Sequence, residues 1–386
     1  MTNKLPDNWE LKMLSEVGDI IGGGTPDTTK KEYWNGNISW VIPSEVTSLP
    51  SKYLYATERK ITELGLKNSS AKIIKPNSLI ICTRATIGNC CINKNEVATN
   101  QGFKSIIPNE NYDVIFLYYL ISNNKQKLIS KASGTTFLEI SKSNLKNLSF
   151  YFPPLEEQKR IASALSKIEA YLENTIKLIE EKERFKKGMA KKLLTCKEGE
   201  NVPEMRFKEF NDKWETKTLM SVADIKKGEQ RNKLDLIPNG KYPVLNGGMN
   251  FSGYYNSYNR EANTITISEG GNAGYVNFIK EKFWSSGHCY TLHDLKIDKN
   301  FLYQCLKNSE KRLMKLRHGT ALKNIKISEI IEFTLDMPKS IEEQKIIGEY
   351  LSLLDAEIDN LKEQKEEIKK MKSGIIKKLM SGEVRL

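Results

Sequence analysis

Apolar residues recur at alternating steps of four and three in two stretches of the chain. In the first they are Ile161, Leu165, Ile168, Leu172, Ile179, Met189 and Leu193; in the second, Ile347, Leu351, Leu354, Ile358, Leu361, Ile368, Ile375 and Leu379. Such spacing lays a narrow stripe along one face of an α-helix, as in a coiled-coil seam. Both stretches open on Glu-Glu-Gln-Lys. Pro154 suits a first helical turn, Ser340 with Glu343 spells a capping box, and Glu156-Glu157 and Glu342-Glu343 favour the positive end of a helix dipole. The paired glutamates therefore read as helix starts and not as catalytic carboxylates. About forty residues at 1.5 Å each give rods of ~60 Å. So narrow a stripe does not stabilise a lone helix, and the two are expected to pack on each other antiparallel. Lys182 and Lys186 interrupt the first stripe, and Lys365 and Lys372 the second. The seam is thus expected to be weak in its middle, with an apolar edge left for other subunits.

The two helices are copies. An offset of 186 residues carries Glu156 onto Glu342 and Lys191-Lys192-Leu193-Leu194 onto Lys377-Lys378-Leu379-Met380. Upstream, "GTTFLEISKSNL" (134–145) matches "GTALKNIKISEI" (319–330) at an offset of 185, and "NWELKMLSEVGDI" (8–20) matches "KWETKTLMSVADI" (213–225) at 205, which pairs Trp9 with Trp214 and Asp19 with Asp224. The middles differ. A duplicated unit is the natural reading: globular 1–153, helix 154–196, globular 197–339 and helix 340–386. The expected fold class is mixed α/β (α+β), two globular domains separated by two long helices in an antiparallel coiled coil, with a pseudo-two-fold internal repeat.

Inside the globular segments, "SLIICTRATIGNCCI" (78–92) and "NTITISEGGNAGYVNFI" (263–279) read as β-hairpins, and 115–129 and 300–314 as matched amphipathic helices. Gly22-Gly23-Gly24, Gly247-Gly248 and Gly270-Gly271 fit no phosphate-binding pattern and are expected to be turns. "KYPVLNGGMNFSGYYNSYNR" (241–260) is dense in Asn, Ser, Gly and Tyr. It is a polar hairpin whose amides and hydroxyls can reach base edges.

Charge sharpens this picture. Sixty basic against 48 acidic residues give a net +12, which suits a polyanionic partner. Residues 1–154 hold 18 basic and 13 acidic groups and 196–340 hold 23 and 18, so each globular segment carries an excess of five. Mean hydropathy is −0.50, no apolar run reaches the length of a membrane span, and the opening residues lack a signal peptide. A cytoplasmic protein without membrane contact is expected. The six cysteines form no C-x-x-C pair, so reduced thiols are expected, and His288, Cys289 and His293 are too few for a closed zinc site. There is no G-x-S-x-G, no His-Glu-x-x-His and no Asn-Pro-Pro-aromatic sequence. The Glu-x-Lys at 367–369 sits on a solvated helix face.

With "LPDNWELKMLSEVGDI", its echo "FNDKWETKTLMSVADI", the junction "GTTFLEISKSNLKNLSFYFPPLEEQKRIASALSKIEAYLE" and its second copy ending "KKLMSGEVRL", the chain resembles the specificity subunits of type I restriction–modification systems over nearly its whole length. The resemblance implies a non-enzymatic DNA reader: two target-recognition domains, each reading half of a split site, held apart by the helices. It also implies double-stranded DNA, two modification (methyltransferase) subunits docked along the helices and restriction subunits as partners. No cofactor is expected on this chain, S-adenosylmethionine being bound by the methyltransferases.

Base contacts call for Arg or Lys on guanine and Asn or Gln on adenine. In the first domain the candidates are Thr83, Arg84, Asn100, Gln101 and Lys104, since Arg84 follows an apolar strand and the family often carries a Thr-Asn-Gln-Gly stretch here. In the second they are Asn246, Asn250, Tyr254, Arg260, Asn272 and Arg317; "GGNAG" offers no arginine at the place of Arg84. Partner docking is expected along Glu156, Gln158, Ile161, Leu165, Leu172, Glu342, Gln344, Ile347, Leu351 and Ile358. Two other readings stay open: a coiled-coil scaffold without specific DNA binding, and the reader part of a single-chain restriction–methylation enzyme.

Overall fold

The computed structural model describes residues 6, 8–134, 138–197, 199–319 and 323–386, all but the side chain of residue 233. The chain divides into two compact units, one of Met1–Asn174 with Lys365–Leu386 and the other of Thr175–Gln364. Each long helix, Leu155–Leu194 and Ile341–Met380, therefore lends one half to each unit.

The first unit is built on a five-stranded sheet. In order its strands are Gly18–Gly22, Phe103–Pro108, Leu79–Cys82, Cys90–Asn93 and Tyr53–Leu54, antiparallel except for the last pair. The unbroken apolar run Leu79-Ile80-Ile81-Cys82 fits a strand covered on both faces. Leu79 and Ile81 join Ile92, Ile106 and the helix Val114–Asn123 in one core. Ile80 and Cys82 turn the other way to Cys91, Phe103 and Val41. A three-stranded sheet of Lys60–Ile61, Trp34–Val41 and Ala98–Thr99 lies beside it, with Ala98–Thr99 parallel to its neighbour.

The second unit repeats this plan with different lengths. Its four-stranded sheet runs Asp224–Lys227, Cys289–His293, Thr264–Ser268 and Val276–Ile279, all antiparallel. Its three-stranded sheet runs Gly253–Tyr255, Tyr242–Leu245 and Trp284–Ser285, the last pair parallel. Both expected hairpins form. The expected helices 115–129 and 300–314 are each broken in two, at Asn124 and at Ser309.

The helix starts are more than caps. Glu157 is buried and takes both Nε and Nη2 of Arg385, at 3.0 and 2.6 Å. Glu343, equally buried, takes Nε and Nη2 of Arg206 at 2.7 and 2.8 Å, with the Trp214 indole donating at 3.3 Å. Half of the expected capping box is therefore present: the amide of Glu343 donates to Ser340 Oγ at 3.3 Å, while its carboxylate is spent on Arg206. Gln158 and Gln344 behave as twins. Each accepts the amide that precedes a domain helix, from Asp113 and Asp298 at 3.0 Å, and donates to the carbonyl of Pro153 or Pro338 at 2.9 Å.

Within each unit the helix halves run antiparallel, since rising numbers on one meet falling numbers on the other. The first unit has Glu169–Lys372 at 2.6 Å and, just past the helix end, Glu157–Arg385, and the second has Lys182–Glu357 at 2.7 Å and Lys186–Asp355 at 2.5 Å. Lys186, Lys182 and Lys372 are thus carboxylate-paired across the helix halves and do not simply weaken the stripe. Among the described residues no helix is long and apolar enough to cross a membrane.

Candidate nucleic-acid interface

In the first unit the polar candidates gather at the ends of the two central strands. Pairing sets Ile81 opposite Lys104 and Cys82 opposite Phe103, so the residues that follow Cys82 and precede Phe103 emerge side by side. The glycine run makes this corner possible. A Cβ on Gly23 would sit 1.9 Å from the Asn100 carbonyl oxygen and one on Gly24 2.2 Å from Ser70 Oγ, while the Gly24 amide donates to Thr99 O at 2.9 Å. Gly22 ends a strand, so these glycines serve close backbone approach where the sequence reading had a turn.

Asn100 accepts the Gly102 amide on Oδ1 at 2.9 Å, an Asx turn that shapes the loop. Gln101 is exposed, and its Oε1 accepts the Thr25 hydroxyl. Lys104 is mostly buried and reaches the Gln101 carbonyl and Glu139 Oε1, both at 3.4 Å. Arg84, 45% exposed, donates through Nε to Glu139 Oε2 at 2.6 Å. Thr83 is the correction here. It is wholly buried and its hydroxyl donates to Gly102 O at 3.0 Å, so it supports the loop from behind. Arg84, Gln101 and Lys104 form one polar cluster with Thr25 and Glu139, which were not among the candidates; the pairing that delivers Glu139 joins positions 55 residues apart.

In the second unit Gly228 takes the part of Gly23, its Cβ falling 2.2 Å from Ser286 O. Gly247, at φ 68°, abuts Gly270 and accepts the Asn272 amide at 3.0 Å, which joins the Asn246 and Asn272 loops. Asn272, Asn250 and Tyr254 are exposed. Asn246 lines a cavity of about 370 Å³ with Gln230, Arg231, Ser252 and Ser286. Arg231, also outside the candidate set, lies over the rings of Trp284 and Tyr255 at 4.1 and 4.8 Å. Among the described residues, the Asn246 Oδ1 and Arg231 Nε atoms are enclosed without a protein partner.

Arg260 is a second correction. Its guanidinium donates to Thr291 Oγ1, Asn259 O and Lys227 O at 2.8, 2.7 and 2.9 Å, which ties the hairpin to the sheet. Burial pushes it below its ordinary pKa. Arg317 is half-buried, its Nε enclosed just before the bridge of His318 with Asn324.

The helix positions divide sharply. Gln158, Ile161, Leu165, Gln344, Ile347, Leu351 and Ile358 are buried in the cores of their own units. Those side chains are therefore unavailable to a partner, contrary to the expectation, whereas Glu156 and Glu342 are exposed and Leu172 is half-buried. Exposed apolar groups appear elsewhere on the helices, at Tyr171, Phe185, Leu353 and Met371. Among the described residues no group of three or more His, Cys, Asp or Glu side chains could hold a metal.

Known proteins share this arrangement. The family model for the type I restriction modification DNA specificity domain matches residues 6–182 and again 211–370. The MjaIX specificity subunit of Methanocaldococcus jannaschii is 29% identical, over 99% of this chain and 95% of its own length. A putative type I specificity subunit of Mycoplasma pneumoniae is 38% identical over 44% of this chain and 46% of its own. Among solved structures, the S subunit of a type I system from M. genitalium superposes with a TM-score of 0.66 at 19% identity, covering 98% of this chain and 97% of that one. The same frame folded twice, with a family match on each copy, places the chain: it belongs to the type I restriction–modification DNA specificity family.

Proposed function

We propose that this chain is the DNA-reading subunit of a type I restriction–modification complex and carries no catalytic site of its own. Each globular domain reads one half of a bipartite site, the paired helices fix the separation of the halves, and two methyltransferase subunits dock on the exposed helix faces. Restriction subunits join that core in the cytoplasm.

The observation that carries this reading is one backbone frame present twice, its helix starts locked by the same buried glutamate and glutamine while the loop side chains differ. Duplicated scaffolding with divergent polar loops suits two unlike sequences recognised with a set spacing. Half-sites on one face of B-DNA lie about a helical turn apart, ~34–36 Å, within the reach of a rod of ~60 Å. The exposed set Arg84, Gln101, Asn250, Tyr254 and Asn272 supplies the donors and acceptors that base edges require.

The test is methylation mapping in cells that express this chain with its methyltransferase. A split motif with one methylated adenine in each half is expected. Replacing residues 10–150 with those of another family member is expected to change one half only. A change in both halves, or methylation without a split motif, overturns the reading.

A further inference from the structure

The first domain places a carboxylate inside the cluster meant for a polyanion. Glu139 accepts Arg84 Nε on Oε2 at 2.6 Å and Lys104 Nζ on Oε1 at 3.4 Å. Its backbone is held firmly. Ser133 and Glu139 exchange amide-to-carbonyl bonds of 2.9 and 3.0 Å, and the next residue, fully buried Ile140, donates to Thr83 O at 3.1 Å. The segment carrying Glu139 is thus tied to the strand end that carries Arg84. The bond engages Nε, and among the described residues the terminal fork of the guanidinium, the part that guanine O6 and N7 accept from, is left unused.

A negative charge here weakens attraction to phosphate, so it needs a compensating role. The second domain shows that the position is kept while the residue is not. The same backbone bridge joins His318 and Asn324 at 2.8 and 3.0 Å, and Ile325 donates to Glu269 O at 2.9 Å. Asn324 thus stands where Glu139 stands. The carboxylate comes instead from Glu269, at the step of Thr83, and its Oε1 accepts Lys227 Nζ at 2.6 Å and the Tyr290 hydroxyl at 3.0 Å. His288 Nδ1 lies 3.7 Å from its other oxygen. Each corner thus carries a carboxylate bound to a neighbouring cation, supplied by non-equivalent residues, which points to a demand of the corner itself.

We propose that Glu139 is a specificity-determining positioning residue for the first half-site: it fixes the Arg84 guanidinium so that its free fork is presented to a guanine, and it occupies Lys104 so that this cation does not add sequence-blind attraction. This rests on the reading of the chain as a DNA-binding subunit that uses this face.

The test uses the full chain assembled with its methyltransferase subunits. Binding is measured to cognate duplex, to cognate duplex with 7-deazaguanine at each guanine of the first half-site in turn, and to unrelated duplex. Glu139→Gln is expected to tighten unrelated DNA severalfold while the preference for cognate over unrelated DNA falls ten- to a hundredfold. The penalty for one 7-deazaguanine, present with the unaltered chain, is expected to vanish. Glu139→Asp is expected to restore part of that penalty, and discrimination in the second half-site to stay unchanged.

Equal tightening of both duplexes would reduce Glu139 to bulk charge. Equal weakening, with a lower melting temperature, would reduce it to scaffold. Either result, or an unaltered chain that is specific yet indifferent to every 7-deazaguanine, overturns the inference and leaves the proposed function standing. An unaltered complex without sequence preference overturns both.

Discussion

Glu157 and Glu343 stand at the same step of the repeat, but the arginines that reach them do not. The glutamates are 186 residues apart and Arg206 and Arg385 are 179 apart, because each arginine follows its own copy of the long helix, within Met205-Arg206-Phe207 and Val384-Arg385-Leu386, after tails of unequal length. The chemistry is nonetheless the same, a bidentate guanidinium on a buried carboxylate. What the repeat retains is a reciprocal joint, in which the arginine after one helix meets the buried carboxylate at the start of the other despite tails of unequal length. The reading corners differ more, their carboxylates coming from non-equivalent residues, Glu139 in one domain and Glu269 in the other.

The comparison is broken most forcefully at those arginines. Removing one partner of a buried pair leaves an uncompensated charge, so Arg206→Ala is expected to lower stability by about 3–5 kcal/mol in denaturant unfolding. Arg206 is 11% exposed and Arg385 46%, so Arg385→Ala is expected to be the milder change. If Arg385→Ala proves as severe, exposure does not rank the two joints. Replacing both members of the buried pair, Arg206→Leu with Glu343→Leu, is expected to recover most of the loss.

A smaller effect tests the shared corner. Gly23→Ala and Gly228→Ala each push a methyl into a carbonyl, at 1.9 and 2.2 Å, and each is expected to cost roughly 1–3 kcal/mol through forced backbone shifts. Each is also expected to weaken recognition of its own half-site in a binding titration. A variant that loses discrimination in the other half would contradict separate readers.

The helix pairs respond at a finer scale. Glu169 is pushed up by burial, but hydrogen bonds from Lys372 and Lys52 outweigh this and hold its carboxyl below the ordinary glutamate value. With the folded-state value depressed, its stabilisation is complete above the ordinary value, about 4.3, and is lost as pH falls through the lowered one. Acid unfolding curves of Lys372→Met should therefore show less stability at neutral pH and a flatter decline below it. Lys186→Met, whose partner Asp355 is 33% exposed, is expected to lose about 1 kcal/mol or less. Finally, binding by each domain should weaken as salt rises, since phosphate contacts release counterions.

The helices were legible because their signal is periodic and repeated: the stripe from Ile161 to Leu193 and its copy needed no knowledge of distant contacts. The hairpins were legible from their β-rich runs around a glycine turn, and the domain helices from their spacing, although the breaks at Asn124 and Ser309 were not. Burial of polar groups was not. Gln158 and Gln344 read as surface residues of a docking face, yet they join helix start to domain core, a role fixed by carbonyls and amides that composition does not reveal. Arg260 sat in a polar hairpin and looked free, but three carbonyl or hydroxyl oxygens claim it. Nothing local to Arg231 announces that Trp284 and Tyr255 flank it. Local pattern gave the scaffold; non-local pairing decided which polar residues remain available at the surface.

The division of the chain into units also makes one of them depend on residues far along the chain. Thr175–Gln364 is one uninterrupted stretch, whereas the unit holding Glu157 takes Lys365–Leu386 as its closing element. Cutting the chain before Lys365 would therefore strip the upstream unit of its closing helix half and of the arginine that answers Glu157, while leaving every residue of the downstream unit in place.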